Sequence, residues 1–164
     1  MKVGFIGVGF MGQHMAKHIL DGGHDLTIYD ISETAAKDLV KAGAKWVSSP
    51  SEVATVSEVI FTSLPTPQDV EQVVLGEGGI LAGALEGTTL FDLSTTDPET
   101  ITRISNSAAQ SGISVLDAPV SGGTVGAEQG TLCVMVGGEK NNYDKYKSVL
   151  DLIGNQVVYC GNLG

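Results

Sequence analysis

An α/β fold, with helices on both faces of a doubly wound, mostly parallel sheet, is what this chain predicts, on three observations. Strand-like apolar runs alternate with helix-like amphipathic ones from end to end. The first such run, Lys2 to Ile6, leads directly into Gly7-Val8-Gly9-Phe10-Met11-Gly12. A second, Asp25 to Tyr29, ends at Asp30.

Lys2 to Ile6 carry enough apolar bulk for a buried strand, and a helical pattern from Met11 to Leu20 begins inside the glycine run. Gly7 permits a tight turn, Gly9 lets a pyrophosphate approach the backbone without meeting a Cβ, and Gly12 lets helix and strand pack closely. The helix N-terminus then offers free N–H groups and a positive dipole end to the phosphates. Gly22-Gly23 stop the helix, and Asp30 falls eighteen residues after Gly12, where a carboxylate can accept the adenosine ribose hydroxyls. Strand, glycine turn, helix, strand and acid in this order make a dinucleotide site on a Rossmann-type sheet. Asp30 would repel a 2′-phosphate, and Ile31-Ser32-Glu33 supply no arginine to neutralise one, so NAD is favoured over NADP. The plainer reading makes Asp30 only the start of a turn that caps the next helix.

A helix follows near Ser32 to Ala42 and a short strand near Ala44 to Val47. Further strands are expected at Glu58 to Ser63, Thr88 to Asp92, Ser114 to Asp117, Thr131 to Val136 and Gln156 to Tyr159. Ser49-Pro50, Thr66-Pro67 and Asp97-Pro98 each place a capping residue before a proline at the first helical position, and Glu52 completes a capping box with Ser49. Two of these helices open straight after strands, behind Ser63-Leu64-Pro65-Thr66 and Leu93-Ser94-Thr95-Thr96. Parallel strands all end at one edge, so these loops flank the glycine turn, and Leu64, Pro65 and Thr95 become neighbours of the nicotinamide half.

At 164 residues the chain is one domain's worth, able to bury roughly 70% of its unfolded surface. Nineteen acidic residues against nine basic ones leave a net charge of -10 with no Lys/Arg cluster, which argues against nucleic acid and anionic membrane as partners. No apolar run reaches the length of a membrane span and no charged leader with a cleavage site precedes the first strand, so the expected location is cytoplasmic. Cys133 lies in Leu132-Cys133-Val134-Met135-Val136 and Cys160 follows Val157-Val158-Tyr159; both read as core thiols without metal-ligand spacing. His14 and His18, four apart on the first helix, fit either a metal pair or one polar helical face, and the absence of an HExxH signature favours the latter.

A second glycine-rich block, Asp117-Ala118-Pro119-Val120-Ser121-Gly122-Gly123-Thr124, again follows an apolar strand. A serine hydroxyl beside two glycine N–H groups can hold a carboxylate, and the alternative is a flexible strand-to-helix turn. Ser121 lacks the sequence of a hydrolase nucleophile elbow.

Taken together, Val3-Gly4-Phe5-Ile6-Gly7-Val8-Gly9-Phe10-Met11-Gly12, Ser63-Leu64-Pro65, Asp92-Leu93-Ser94-Thr95 and Asp117 through Gly123 resemble the β-hydroxyacid dehydrogenases, in the 3-hydroxyisobutyrate dehydrogenase-like branch whose NAD-binding domain is of the 6-phosphogluconate dehydrogenase type. The resemblance runs from end to end, continued by Gly126-Ala127 and Gly130-Thr131-Leu132. It implies that Gly7, Val8, Gly9, Phe10, Met11, Gly12, Asp30, Leu64, Pro65 and Thr95 hold NAD, and that Ser121, Gly122 and Gly123 bind the substrate carboxylate or hydroxyl. It further implies reversible hydride transfer between nicotinamide C4 and a carbinol carbon of a short hydroxyacid or semialdehyde, in a homo-oligomer. The proton-moving lysine of that family belongs to a Gly-x-x-Gly-x-Gly-x-x-x-Lys stretch, of which this chain contains Gly161-Asn162-Leu163-Gly164. No catalytic residue is therefore expected within residues 1–164, which correspond to the N-terminal dinucleotide-binding domain without its helical C-terminal partner. A stand-alone dinucleotide-binding or sensing module is the alternative, and the retained Ser121-Gly122-Gly123 block argues against it. A methyltransferase would share the glycine loop and the acid but leaves Leu64-Pro65 and Ser121-Gly122-Gly123 without a purpose.

Overall fold

A computed structural model describes all residues from Met1 to Gly164. The first half runs β1 (Lys2–Ile6), α1 (Gly12–Asp21), β2 (Asp25–Tyr29), α2 (Glu33–Lys41), β3 (Lys45–Trp46), α3 (Pro50–Thr55), β4 (Val59–Thr62), α4 (Pro67–Leu75) and α5 (Ile80–Gly83). It continues through β5 (Thr89–Asp92), α6 (Pro98–Ala109), β6 (Ser114–Asp117), β7 (Val120–Ser121), α7 (Gly123–Gln129), β8 (Leu132–Gly137), α8 (Lys140–Ile153) and β9 (Gly154–Gly161). Strands β3, β2, β1, β4, β5 and β6 lie side by side in that order, every pair parallel. The order reverses between β1 and β4, which opens a crevice at the carboxyl edge, as the alternating pattern predicts.

Alternation along each strand feeds two helical layers. Val3 and Phe5 of β1, Phe61 of β4 and Phe91 of β5 face one side with Met15 and Ile19 of α1 and Tyr146 and Leu150 of α8. Ile6, Ile60 and Leu90 face the other, against Val53, Val70, Val74, Ile101 and Ile104 of α3, α4 and α6. Phe5, Phe61, Phe91 and Tyr146 form one row with neighbouring ring centroids 6.3, 5.4 and 6.0 Å apart. Burying such rings contributes roughly 1.5–3 kcal/mol each, and the row ties β1, β4 and β5 to α8.

The three proline-preceded caps form as expected. Ser49 Oγ accepts from the Glu52 N–H, Thr66 Oγ1 from the Asp69 N–H and Asp97 Oδ1 from the Thr100 N–H, at 3.2, 3.2 and 2.9 Å. The capping box needs a correction: the Glu52 carboxylate accepts from the Ser48 N–H and hydroxyl instead of returning to the Ser49 N–H.

Beyond β6 the sheet departs from the parallel pattern. Asp117, Val120 and Ser121 pair antiparallel with Gly137, Val134 and Cys133 in one unbroken register, so β6 and β7 form a single line along β8, interrupted at Ala118-Pro119. The Pro119 carbonyl still accepts from the Met135 N–H at 3.1 Å, but proline has no N–H to return. The reason for the reversal is length. The connection from Ser121 to Leu132, α7 included, is shorter than the roughly dozen residues that a parallel crossover needs. The fourteen residues of α8 suffice, and β9 lies parallel to β8. β9 pairs only with β8, which corrects the expectation of two core thiols: Cys133 is half-buried and Cys160 is exposed on this edge strand.

Candidate cofactor and substrate crevice

The glycine turn crosses the carboxyl end of β4. Gly7 has φ +91°, and a Cβ on it would stand 2.3 Å from the Ser63 carbonyl oxygen. At Gly12 a Cβ would stand 1.8 Å from the Gly7 carbonyl oxygen, so α1 can begin where it does only with glycine there. Gly9 differs from both: no heavy atom lies within 4 Å of its Cβ position, so the space above its backbone is open to a ligand. Met11 precedes α1 without a side-chain cap, and the first turn of the helix carries no acidic residue. An anion is the natural complement of those N–H groups and of the helix dipole.

Asp30, half-buried at the end of β2, holds the same turn from its other side. Its Oδ2 accepts from the Val8 N–H at 2.8 Å and its Oδ1 from the Ser32 N–H at 2.8 Å. The turn-starting reading of Asp30 is thus part of the geometry, yet the carboxylate also lines the cleft beside Gly9. Val8 contributes only backbone there, because its side chain is in the core. Phe10 projects outward, 85% exposed.

The cleft has a volume of about 390 Å³ and is walled by Gly7, Gly9, Asp30, Ile31, Leu64 and Pro65 on the sheet edge and by Asp69, Gln72 and Val73 of α4. The last three were not singled out from the sequence. The signal was there in Thr66-Pro67, which starts α4 directly behind Leu64-Pro65 and turns its first residues towards the same cleft. Asp30 and Asp69 put two carboxylates on these walls, and neither lysine nor arginine lines them. Thr95 is exposed on the loop beyond β5, at the carboxyl edge but outside the cleft lining.

Asp92 enters the sequence reading only as a strand end and the first residue of Asp92-Leu93-Ser94-Thr95, with no role of its own. It is fully buried at the end of β5 and gathers hydrogen bonds from Thr62, Ser94 and Thr96. Ser94 and Thr96 lie two and four residues ahead on the same loop, and pairing of β4 with β5 brings Thr62 to them.

Ser121, Gly122 and Gly123 stand past the sheet's carboxyl edge, because the β6–β7 line overshoots β5. All three are exposed, and Gly122 and Gly123 have φ +137° and +62°. Gly122 and Gly123 precede and open α7, which has no side-chain cap and no acidic residue in its first turn. Helix α7 is docked on α1 through His18, whose Nε2 lies 3.1 and 2.9 Å from the Ala127 and Glu128 carbonyl oxygens. That contact gives the ring on this helical face a packing role between α1 and α7.

A phosphate-ready glycine turn on a doubly wound sheet, with a carboxylate closing its far side, defines a dinucleotide-binding domain of the Rossmann type. Comparison with known proteins narrows the class. Residues 2–161 match the NAD binding domain of 6-phosphogluconate dehydrogenase, and the chain belongs to that NAD-binding family. It is 43% identical over 162 residues to a probable mitochondrial 3-hydroxyisobutyrate dehydrogenase of Dictyostelium discoideum, covering 99% of this chain and 50% of that protein. It is 40% identical over 164 residues to 2-(hydroxymethyl)glutarate dehydrogenase of Eubacterium barkeri, covering all of this chain and 54% of the relative. Among solved structures, Mycobacterium tuberculosis 3-hydroxyisobutyrate dehydrogenase with L-serine superposes with a TM-score of 0.92 at 31% identity, covering 98% of this chain and 54% of that one. The chain spans about half the length of the curated relatives it matches.

Proposed function

We propose that this chain is the cofactor-holding part of a 3-hydroxyisobutyrate dehydrogenase-like oxidoreductase acting on a short 3-hydroxy acid or its semialdehyde. The observation that carries the reading is the open space above Gly9 in the glycine turn, with the exposed Ser121-Gly122-Gly123 segment standing past the same sheet edge. NAD, when bound, supplies the carbon that accepts or donates the hydride. The chain's own residues do the rest of the holding. N–H groups at the start of α1 receive the pyrophosphate, with Phe10 and Met11 along the loop, and Gly9 keeps its approach clear. Asp30 receives the adenosine ribose hydroxyls. Leu64, Pro65 and Thr95 flank the nicotinamide half.

Cofactor preference follows from charge. A 2′-phosphate beside Asp30 and Asp69 would meet two carboxylates and no cation, which favours NAD over NADP. The Ser121 hydroxyl and the Gly122 and Gly123 N–H groups are assigned to the substrate carboxylate or hydroxyl. L-serine in the mycobacterial relative's structure is itself a 3-hydroxy acid, which supports a ligand of that size and charge.

The proton-moving group is assigned to the family's lysine outside residues 1–164, in a helical domain that completes the enzyme. Five of the chain's eight lysines, Lys17, Lys41, Lys45, Lys140 and Lys147, pair with Asp21, Asp38, Asp25, Asp144 and Asp151, and none of the eight lines the cleft. A homo-oligomer in a reducing cytoplasm completes the reading, in keeping with two free cysteines. No helix is long and apolar enough to cross a membrane. The test has two arms. Calorimetry of this chain with NAD and NADP should give a clear preference for NAD. The chain joined to a lysine-bearing helical domain should then oxidise 3-hydroxy acids with NAD, and Ser121→Ala should raise KM for the acid without changing NAD affinity. Equal binding of NADP, or a Ser121→Ala protein with unchanged KM, overturns the corresponding assignment.

A further inference from the structure

We propose that Asp92 is a positioning residue that sets the nicotinamide half of the crevice, a role that rests on reading this edge as the NAD site. Its Oδ1 accepts from the Thr62 hydroxyl at the end of β4 at 2.8 Å and from the Ser94 N–H at 3.1 Å. Its Oδ2 accepts from the Thr96 hydroxyl at 2.5 Å. Ser94 passes the connection on, because its Oγ accepts from the Leu64 N–H at 2.9 Å. Both loops that overhang the crevice, beyond β4 and beyond β5, therefore close on one side chain that is 0% exposed.

A carboxylate buried this deeply is costly unless its partners compensate, and an apolar residue of similar size would carry no such cost. None of the protein's ion pairs includes Asp92. What the carboxylate supplies and an apolar residue cannot is direction. Its acceptor positions fix Ser94 and Thr96 from below, and Thr95, held between them, is turned to solvent at the carboxyl edge. The adenosine half lies at the other end, beside Asp30, where the Val8 and Ser32 N–H groups and not Asp92 hold the geometry. Asp92 thus acts on one half of the dinucleotide through Thr95 and its loop.

Calorimetric titration of the full 164-residue chain with NAD and, separately, with ADP tests this, since ADP carries the adenosine and both phosphates but no nicotinamide riboside. Thr96→Val removes one hydrogen bond at nearly constant shape and should weaken NAD about tenfold while leaving ADP within about twofold. Asp92→Ala should weaken NAD at least as much. Asp92→Asn, whose amide oxygen still accepts from Ser94 and Thr62 and whose nitrogen can donate to the Thr96 hydroxyl oxygen, should restore NAD to within about threefold of the parent. If Asp92→Ala does not fold, Thr96→Val decides alone. Unchanged NAD binding in Thr96→Val, or equal losses for NAD and ADP, overturns the positioning role. A parent chain that binds neither NAD nor ADP fails the site reading itself, which separates the two.

Discussion

Gly9 and Gly12, three residues apart in one turn, should respond to alanine in opposite ways. At Gly12 the added Cβ would lie 1.8 Å from the Gly7 carbonyl oxygen and 2.9 Å from its carbon. Both atoms are backbone, so relief requires moving α1 away from β1. Overpacking of this kind costs about 3 kcal/mol, which for a domain of this size lowers Tm by about 6–12 °C. At Gly9 the added Cβ meets nothing within 4 Å, and the residue is not among the positive-φ glycines. Gly9→Ala should therefore leave Tm unchanged or raise it slightly, by about 0.4–1 kcal/mol of reduced unfolded-state freedom. Its effect should fall on the ligand, because the methyl group occupies the pyrophosphate's approach. NAD affinity should drop at least about tenfold, the equivalent of one lost hydrogen bond to a charged group. Thermal unfolding by circular dichroism and NAD calorimetry on both variants give the two readouts. The reasoning is refuted if Gly9→Ala binds NAD like the parent, or if it lowers Tm as far as Gly12→Ala.

Asp30→Ala should lose about tenfold in NAD affinity and narrow the gap to NADP, both measured by calorimetry; unchanged affinity would leave Asp30 only its turn-forming bonds to Val8 and Ser32. Burial, with a smaller push from the N-terminal charge, holds the His24 imidazole below its usual 6.5. A depressed folded-state value means that its contribution is complete above about pH 6.5 and is lost as pH falls through the folded value. Stability measured by urea unfolding should accordingly decline below pH 6.5, and His24→Gln should flatten that part of the curve. Asp97, lowered chiefly by its hydrogen bond from the Thr100 N–H, follows the same sign at lower pH: its contribution is present above 3.8 and disappears on further acidification. Residues 1–164 alone should bind NAD but turn over hydroxyacids at least about 10²–10⁴ times more slowly than the same chain joined to a lysine-bearing domain, as expected for loss of a positioned acid/base. NADH fluorescence under single-turnover conditions measures the difference.

The elements that position the cofactor were legible because their determinants are local. Gly7, Gly9 and Gly12 act within one turn, Ser49, Thr66 and Asp97 cap helices three residues ahead, and the strands β1, β4 and β5 announce themselves as short apolar runs. Asp30 is readable for the same reason, since a strand end places it whatever lies around it. Asp69, Gln72 and Val73 have no local signature of their place on the cleft, and Asp92 reads only as part of a motif, although its bonds from Ser94 and Thr96 are local. An aspartate between Phe91 and Leu93 looks like a strand terminus until β4 brings Thr62 against it.

By itself, then, the amino-acid order determined the doubly wound sheet, the glycine turn and the acid that faces it, because periodicity and steric permission act over a few residues. Tertiary structure alone decided the direction of β8, the edge position and exposure of Cys160, the docking of α7 on His18 and the closing of two loops on Asp92. Those depend on which strands and helices become neighbours, and that is settled by burial across the whole sheet. A hydrogen bond such as that from Thr62 to Asp92 exists only after that burial has brought the donor within about 3 Å.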